Sequence, residues 1–418
     1  MRERGKWTVL ILVFAACVAL LLSASALAAS VDLLQTFTSP SAGWDDFGMA
    51  MAPLGTNVLI GAEFDGTDGY HSGIAYLYNP STSTGNPLIT FSNPTHAAND
   101  YFGAAVAAIG NQAIIGAYKA DAGAGAVYSF DASTGVLQQT FSNPAPSTYK
   151  VFGHSLATSG NELWVSAFEQ YPSLTTGKGT VFRLNATTKN PLPLAIPSLA
   201  SGDWFGYSIA KVGNKMAVGA PQFSTGAGVV YLFDAATGDY LSMIANPTSN
   251  TGARFGSALG ALGDKLLVGA SEDGDGKAYL FDPSTGAMLH MFESPDAATS
   301  WDMFGSAVAG VGNNIVIGNE GFNAMGRAYL FDGTTYSLLA TFPDPTPSNN
   351  DEFGFPIVGL GSDVMIGARF GENGGSAAYL FEISESAPEP APVPEPVTLA
   401  SGAIGLACVG AYLRRRGR

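Results

Sequence analysis

The sequence predicts an all-β fold, a seven-bladed β-propeller of four-stranded blades in which the N-terminal strand completes the last blade. Three observations predict it. A block of about fifty residues recurs seven times, opening on Phe47-Gly48, Phe102-Gly103, Phe152-Gly153, Phe205-Gly206, Phe255-Gly256, Phe304-Gly305 and Phe353-Gly354, at spacings of 55, 50, 53, 50, 49 and 49 residues. Each block holds four short β-patterned runs separated by turn residues, and no segment between them has a helical period. The seventh block stops after Ala378-Tyr379-Leu380-Phe381-Glu382 without a fourth run, while an orphan run, Leu33 to Pro40, precedes the first block and matches Leu339-Ala340-Thr341-Phe342. Radial closure protects sheet edges, whereas a solenoid would cap its ends.

The fifth block shows the element order. Phe255 to Leu262 is the first strand, Gly263-Asp264 the hairpin, and Lys265 to Ala270 the second strand. After a loop of variable length come the aromatic strand Lys277 to Asp282, the turn Pro283-Ser284-Thr285-Gly286 and the last strand, Ala287 to Glu293. The same order recurs around Tyr231-Leu232-Phe233-Asp234 with Thr237-Gly238, and around Val127 to Asp131 with Thr134-Gly135. The 52 glycines suit so many turns, and the repeat region, 29–383, is one domain because repeats extend a single core.

The two ends read as addresses. Arg2, Arg4 and Lys6 precede an apolar run from Trp7 to Leu22 and a small-residue site at Ala26-Leu27-Ala28, the pattern of a secretory signal peptide over 1–28. At the other end, 384–396 is a Pro/Glu-rich linker, 397–413 a short apolar segment with the length of a brief transmembrane sorting helix, and 414–418 a basic cytoplasmic tail. Val393-Pro394-Glu395-Pro396 ahead of that span and of Arg414, Arg415 and Arg416 resembles the PEP-CTERM sorting signal of Gram-negative bacteria. The resemblance implies processing by an exosortase, transient inner-membrane anchoring, and release to the cell surface or extracellular matrix. The bland alternative is a permanent membrane anchor.

The repeats resemble the FG-GAP family, the blades of integrin-type propellers, from Phe47 to about Ile383; Phe205-Gly206 with Gly219-Ala220-Pro221 carries the likeness most literally. Family members with calcium sites place an Asp/Asn-rich loop between the first and second strands. Here the hairpins are tight, at Gly110-Asn111, Gly160-Asn161, Gly213-Asn214 and Gly263-Asp264, and a cage of six or more oxygens does not fit them. The family's calcium is therefore not carried over.

Charge and cysteine usage narrow the function. The end segments 1–28 and 397–418 hold seven of the 19 basic residues and one of the 34 acidic ones, so the remainder carries about −21 against −15 for the whole chain. No clustered cations remain for nucleic acid. Anionic polysaccharide would need bridging cations or a neutral stretch of sugar. Both cysteines, Cys17 and Cys408, lie in the end segments, which leaves the repeat region no disulfide, thiol nucleophile or cysteine metal ligand.

Loop lengths point to one face. The loops between second and third strands and between blades vary, and in a propeller those two sets share a face. It displays Trp44, Tyr70, Tyr101, Tyr149, Tyr171, Trp204 and Trp301, with His71 and His96 beside them, as expected of a surface that binds polysaccharide or another surface protein. Rings that merely cover blade junctions are the competing reading. For a cation, Ca2+ above all, the first loop to consider is Glu272-Asp273-Gly274-Asp275-Gly276 and the second Asp65-Gly66-Thr67-Asp68, although neither completes a calcium pattern. Asp45, Asp100, Asp203, Asp302 and Asp351 each stand two residues before a Phe-Gly phenylalanine, a repetition that reads as architecture.

No catalytic motif survives alignment of the repeats. Gly153-His154-Ser155-Leu156-Ala157 imitates a nucleophile elbow but aligns with first strands. The expectation is an exported binding or adhesion module and not an enzyme. The alternative is a carbohydrate-active hydrolase or lyase using carboxylates near the channel.

Overall fold

Each Phe-Gly block folds into one antiparallel sheet whose four strands follow chain order, and the computed structural model contains seven such sheets. The structure describes residues 29–385 except 42, 83–84, 147–149, 170–178, 189, 196–202, 223–225, 297–302, 322–324, 348–350 and 370–374. Blade two is representative, with strands Phe102–Ile109, Gln112–Ala117, Ala126–Asp131 and Leu137–Ser142. In the last sheet the N-terminal strand Ala29–Thr38 pairs outside Ala377–Glu385, the closure that the orphan run predicts. First strands of successive blades lie against one another, so they form the inner wall.

The Phe-Gly pair is where each blade joins the one before it. All seven phenylalanines are fully buried, and each packs on its own blade's third-strand aromatics: Phe102 lies 5.7 Å from Tyr128 and 5.9 Å from Phe130, and Phe255 lies 5.6 Å from Tyr279. The following glycine sits at φ between 87° and 106° in every blade, a conformation that breaks the ladder. Register shifts follow Phe47, Phe102, Phe152 and Phe304 for this reason. In blade five the same glycine delays the first strand, which runs Ala258–Leu262 and not from Phe255 as the pattern predicts.

The second-strand glycine completes the seam. A Cβ on Gly61 would lie 1.9 Å from the Gly103 carbonyl oxygen of the next blade, and Gly116, Gly219, Gly269 and Gly318 face the next Phe-Gly carbonyl at 2.1, 2.1, 2.0 and 1.9 Å. Backbone thus meets backbone, and the two recurring glycine motifs are the two sides of one contact. Gly367 of blade seven faces the Gly48 carbonyl of blade one more loosely, at 3.0 Å, across the seam that closes the ring.

Two turns and a latch complete the repeat. All seven inner hairpins are two-residue turns whose first residue is a glycine at φ between 56° and 70°, as in type II′ turns. In the outer hairpins an Asp cap binds backbone N–H groups, as Asp131 Oδ1 does at 2.9 Å from both Ser133 N and Thr134 N. Between blades a Ser/Asn/Asp-Pro turn carries a side chain to the next blade's third-strand tyrosine: Thr346 meets Tyr379 at 2.7 Å and Asp296 accepts from Tyr329 at 2.8 Å. The closing strand obeys the same rule, since Phe37 packs 5.2 Å from Tyr78 as Phe91 packs 5.3 Å from Phe130. Ala29–Ser384 is a compact unit by itself.

Candidate functional site

The chain order of each sheet puts the loops between second and third strands and between blades on one face, and two variable positions per blade converge there on the inner wall. One directly follows the second strand: Glu63, Tyr118, Glu320 and Arg369. The other directly precedes Phe-Gly: Asp46, Tyr101, Trp204, Arg254, Met303 and Glu352, all with φ between 52° and 56°. Left-handed backbone at six non-glycine residues costs roughly 1 kcal/mol or more apiece and persists where the surroundings fix it. Here the adjoining glycine seam holds the chain.

The mouth is divided. Over blades one to four runs a continuous arc of rings: Tyr70 stacks on His71 at 3.8 Å, His71 on Phe64 at 4.8 Å, Phe64 meets Tyr101 at 5.5 Å, and Tyr101 stacks on Tyr118 at 5.1 Å and 13°. His154 then lies 5.7 Å from Tyr118 and 5.8 Å from Tyr207, which meets Trp204 at 6.1 Å. Lys119 sits over Tyr101 at 4.9 Å, a cation–π contact that ties its ammonium to the arc.

Over blades five, six, seven and one the mouth is ionic. Arg369 of blade seven bridges to Asp46 of blade one at 2.8 Å and to Glu352 at 3.7 Å, and Arg254 pairs with Glu272 at 2.8 Å. Glu63 and Glu320 are half-buried. Burial pushes the Glu63 carboxyl up to about 7, with Asp46 adding to it and Arg369 and Lys119 opposing. Burial raises Glu320 to about 7 as well, with Glu352 adding and Arg254 and Arg369 opposing. The His154 imidazole is pushed down to about 4 by burial, so it is neutral at pH 7.

The residues expected from sequence distribute as follows. Trp44 and Tyr70 are exposed, at 71% and 69%, and Tyr101 is half-buried within the arc. Trp204 is buried at 7% exposure and packs on Val151 and Tyr207, so it props the arc and offers no face of its own. Tyr149, Tyr171, Trp301 and the sorting residues Pro394, Glu395, Pro396, Arg414, Arg415 and Arg416 lie outside the described residues.

The blade-five acidic loop engages protein groups. Glu272 turns to Arg254, Asp275 is exposed, and Asp273 accepts from Thr248 at 2.7 Å, Asn250 at 3.1 Å and Tyr279 at 2.7 Å. Protein donors occupy the carboxylate that a cation would need, because the Asn-Pro-Thr turn reaches it first. Asp68 faces His96 at 3.4 Å. Among the described residues no three acidic, histidine or cysteine side chains converge for a metal.

Glu63, Tyr118, Glu320, Arg369, Asp46, Arg254 and Glu352 are absent from the sequence reading. Their signal was available: each directly follows the second-strand Gly-Ala (Gly-Asn in blade six) or directly precedes Phe-Gly, yet differs from blade to blade.

The family model described as FG-GAP repeat matches residues 93–130, from the turn that leaves blade one through the third strand of blade two. No curated protein matches the chain. A seven-bladed propeller carrying an FG-GAP repeat has the architecture of a binding or adhesion module.

Proposed function

We propose that this propeller is an exported, surface-displayed module that binds extracellular polysaccharide through the ring-lined half of its loop face. The observation that carries the reading is the unbroken arc from Tyr70 to Tyr207, long enough to meet several sugar units in succession. Pyranose rings present flat C–H faces that stack on aromatic rings, while carboxylates such as Glu63 and Glu352 accept hydrogen bonds from their hydroxyls. The strongly acidic surface favours neutral sugars, or anionic ones bridged by cations. A surface protein is the alternative ligand for the same rings.

Export and processing rest on sequence alone. The signal-peptide pattern over 1–28 and the Pro394-Glu395-Pro396 motif with Arg414 to Arg416 support passage through the inner membrane and release by an exosortase. Mass spectrometry of the surface fraction tests this: the released chain lacks its basic C-terminus, whereas a permanent anchor keeps it.

One observation favours a hydrolase or lyase as a second reading. Glu63 and Glu320 hold protons up to about pH 7, as a general acid must, and Asp46, paired with Arg369, stands near Glu63. Incubation with neutral and acidic polysaccharides separates the two, with retention in an affinity gel and new reducing ends as readouts. Retention without cleavage is the expected result; reducing ends that vanish in Glu63→Gln overturn it.

A further inference from the structure

Blade one carries two aspartates at its seam, both almost wholly buried. Two positions recur at each seam: the third residue after the second strand, and the residue two before the Phe-Gly phenylalanine. In blade five they are Asp273 and Ala253, in blade two Ala120 and Asp100. One carboxylate stands at each, and protein donors satisfy it: Thr248, Asn250 and Tyr279 on Asp273, Asn93 and Thr95 on Asp100. In blade one both positions are aspartate, Asp65 and Asp45, and the turn that before blade two supplies the Asn93 amide is here Ser39-Pro40-Ser41.

Both side chains are almost wholly buried, at 3% exposure for Asp45 and 2% for Asp65. Each spends one oxygen on a backbone N–H, Asp45 Oδ1 on Phe47 N at 3.2 Å and Asp65 Oδ1 on Thr67 N at 2.7 Å. The second oxygen of each, Oδ2, is buried with no hydrogen-bond donor. The nearby guanidinium, Arg369, is committed to Asp46 and Glu352. Hydroxyls lie beside the pair: Ser41 Oγ lies 3.2 Å from Thr67 Oγ1 and 3.3 Å from Tyr76 Oη, and the Ser39 hydroxyl is near enough to Asp45 to favour its charged form. Burial and then the charges of Asp65 and Asp46 push the Asp45 carboxyl up to about 6, opposed by Ser39 and the Phe47 N–H. Two buried carboxylates without a cation are costly.

We propose that Asp45 and Asp65, with the hydroxyls of Ser39, Ser41, Thr67 and Tyr76, form a site for one divalent cation of the Ca2+ class at the seam where the ring closes. An all-oxygen set of two carboxylates and hydroxyls selects hard cations, and a charge of +2 neutralises the pair. The site lies on the loop face, away from the tight inner hairpins. Ser39 and Ser41 directly follow the closing strand Ala29–Thr38, so the ion fastens that strand's exit to blade one. Ring closure thereby becomes dependent on the cation.

The test uses the full chain, stripped with EDTA and exchanged into metal-free buffer, with the thermal midpoint and calorimetric titration of CaCl2 as readouts. Ca2+ raises the wild-type midpoint saturably and binds one ion per chain. Asp65→Asn weakens binding at least tenfold, and in EDTA its midpoint equals or exceeds that of wild type because a buried repulsion is gone. Glu272→Gln, at the blade-five loop, keeps the full response. Absence of binding by Ca2+ and Mn2+ in the wild type overturns the proposal, as does an unchanged response in Asp65→Asn.

Discussion

Replacing Gly61 by alanine tests whether the glycine seam holds the propeller together. Gly61 has an ordinary backbone conformation, so alanine brings no torsional strain and only space is at issue. Its Cβ would lie 1.9 Å from the Gly103 carbonyl oxygen, where about 3.3 Å is needed, so blades one and two must separate by about 1.4 Å. Both walls are backbone and cannot swing aside as a side chain would, which places the cost near the upper end of overpacking, about 3 kcal/mol. Gly55→Ala is the matched control: its φ is +62° but nothing lies within 4 Å, so it carries only the left-handed penalty of roughly 1 kcal/mol. For a unit spanning Ala29–Ser384 the unfolding entropy is on the order of 0.7 kcal/mol per degree. Differential scanning calorimetry should therefore show a loss of about 4 °C for Gly61→Ala and about 1–2 °C for Gly55→Ala. A Gly61→Ala midpoint within 1 °C of wild type, or a larger loss in the control, refutes the seam argument.

Other consequences are as direct. Phe37→Ala, in the closing strand, should cost about 3–5 kcal/mol, as much as Phe91→Ala at an internal junction, in urea denaturation; a negligible loss would mean that the strand does not close the ring. Tyr70→Ala, on an exposed ring, should leave the thermal midpoint unchanged while weakening polysaccharide retention by roughly 2- to 10-fold, the worth of one stacking contact. Glu63 and Glu320 keep their protons to about pH 7 in the folded chain against 4.5 ordinarily. The folded form thus binds more protons in that window, and stability falls as pH rises from about 4.5 to 7. The Glu63→Gln, Glu320→Gln double variant should flatten that slope, by up to about 3 kcal/mol for each group, measured as denaturant midpoints against pH; an unchanged slope would place the protonated groups elsewhere.

The disc was legible because its contacts are made by residues that every blade must repeat. Phe-Gly and Gly-Ala recur since each seam brings two backbones together, and the orphan run ahead of Phe47 is readable as a fourth strand because Phe37 stands three residues before a proline, Pro40, as Phe91 does before Pro94 and Phe342 before Pro345. The inter-blade latch was less visible. Its acceptors are chemically mixed, with Thr346 and Asp296 in equivalent places, so only pairing with Tyr379 and Tyr329 shows that they share a role. Trp204 and Tyr101 occupy the same column, yet one is buried and the other lines the mouth; burial at this depth depends on the neighbouring blade, here Val151, which no single block encodes.

The same reasoning shows why the mouth has two halves. A repeat constrains the residues at its seam and leaves free those just outside it, and the adjoining columns are the ones whose backbone the seam holds rigid. Variation there costs the disc little, because Asp46, Tyr101, Arg254 and Glu352 take the same left-handed conformation despite their chemistry. The propeller can therefore place a tyrosine at one blade and an arginine at another with equal positional accuracy. Clustering tyrosine and histidine in blades two to four and opposing charges in blades five to seven separates a stacking surface from an ionic one across a single channel. A ligand seated on the arc meets Glu63 and Arg369 at its edge, where blade one joins both halves. Substitutions in these columns should consequently alter what is bound before they alter how the disc folds.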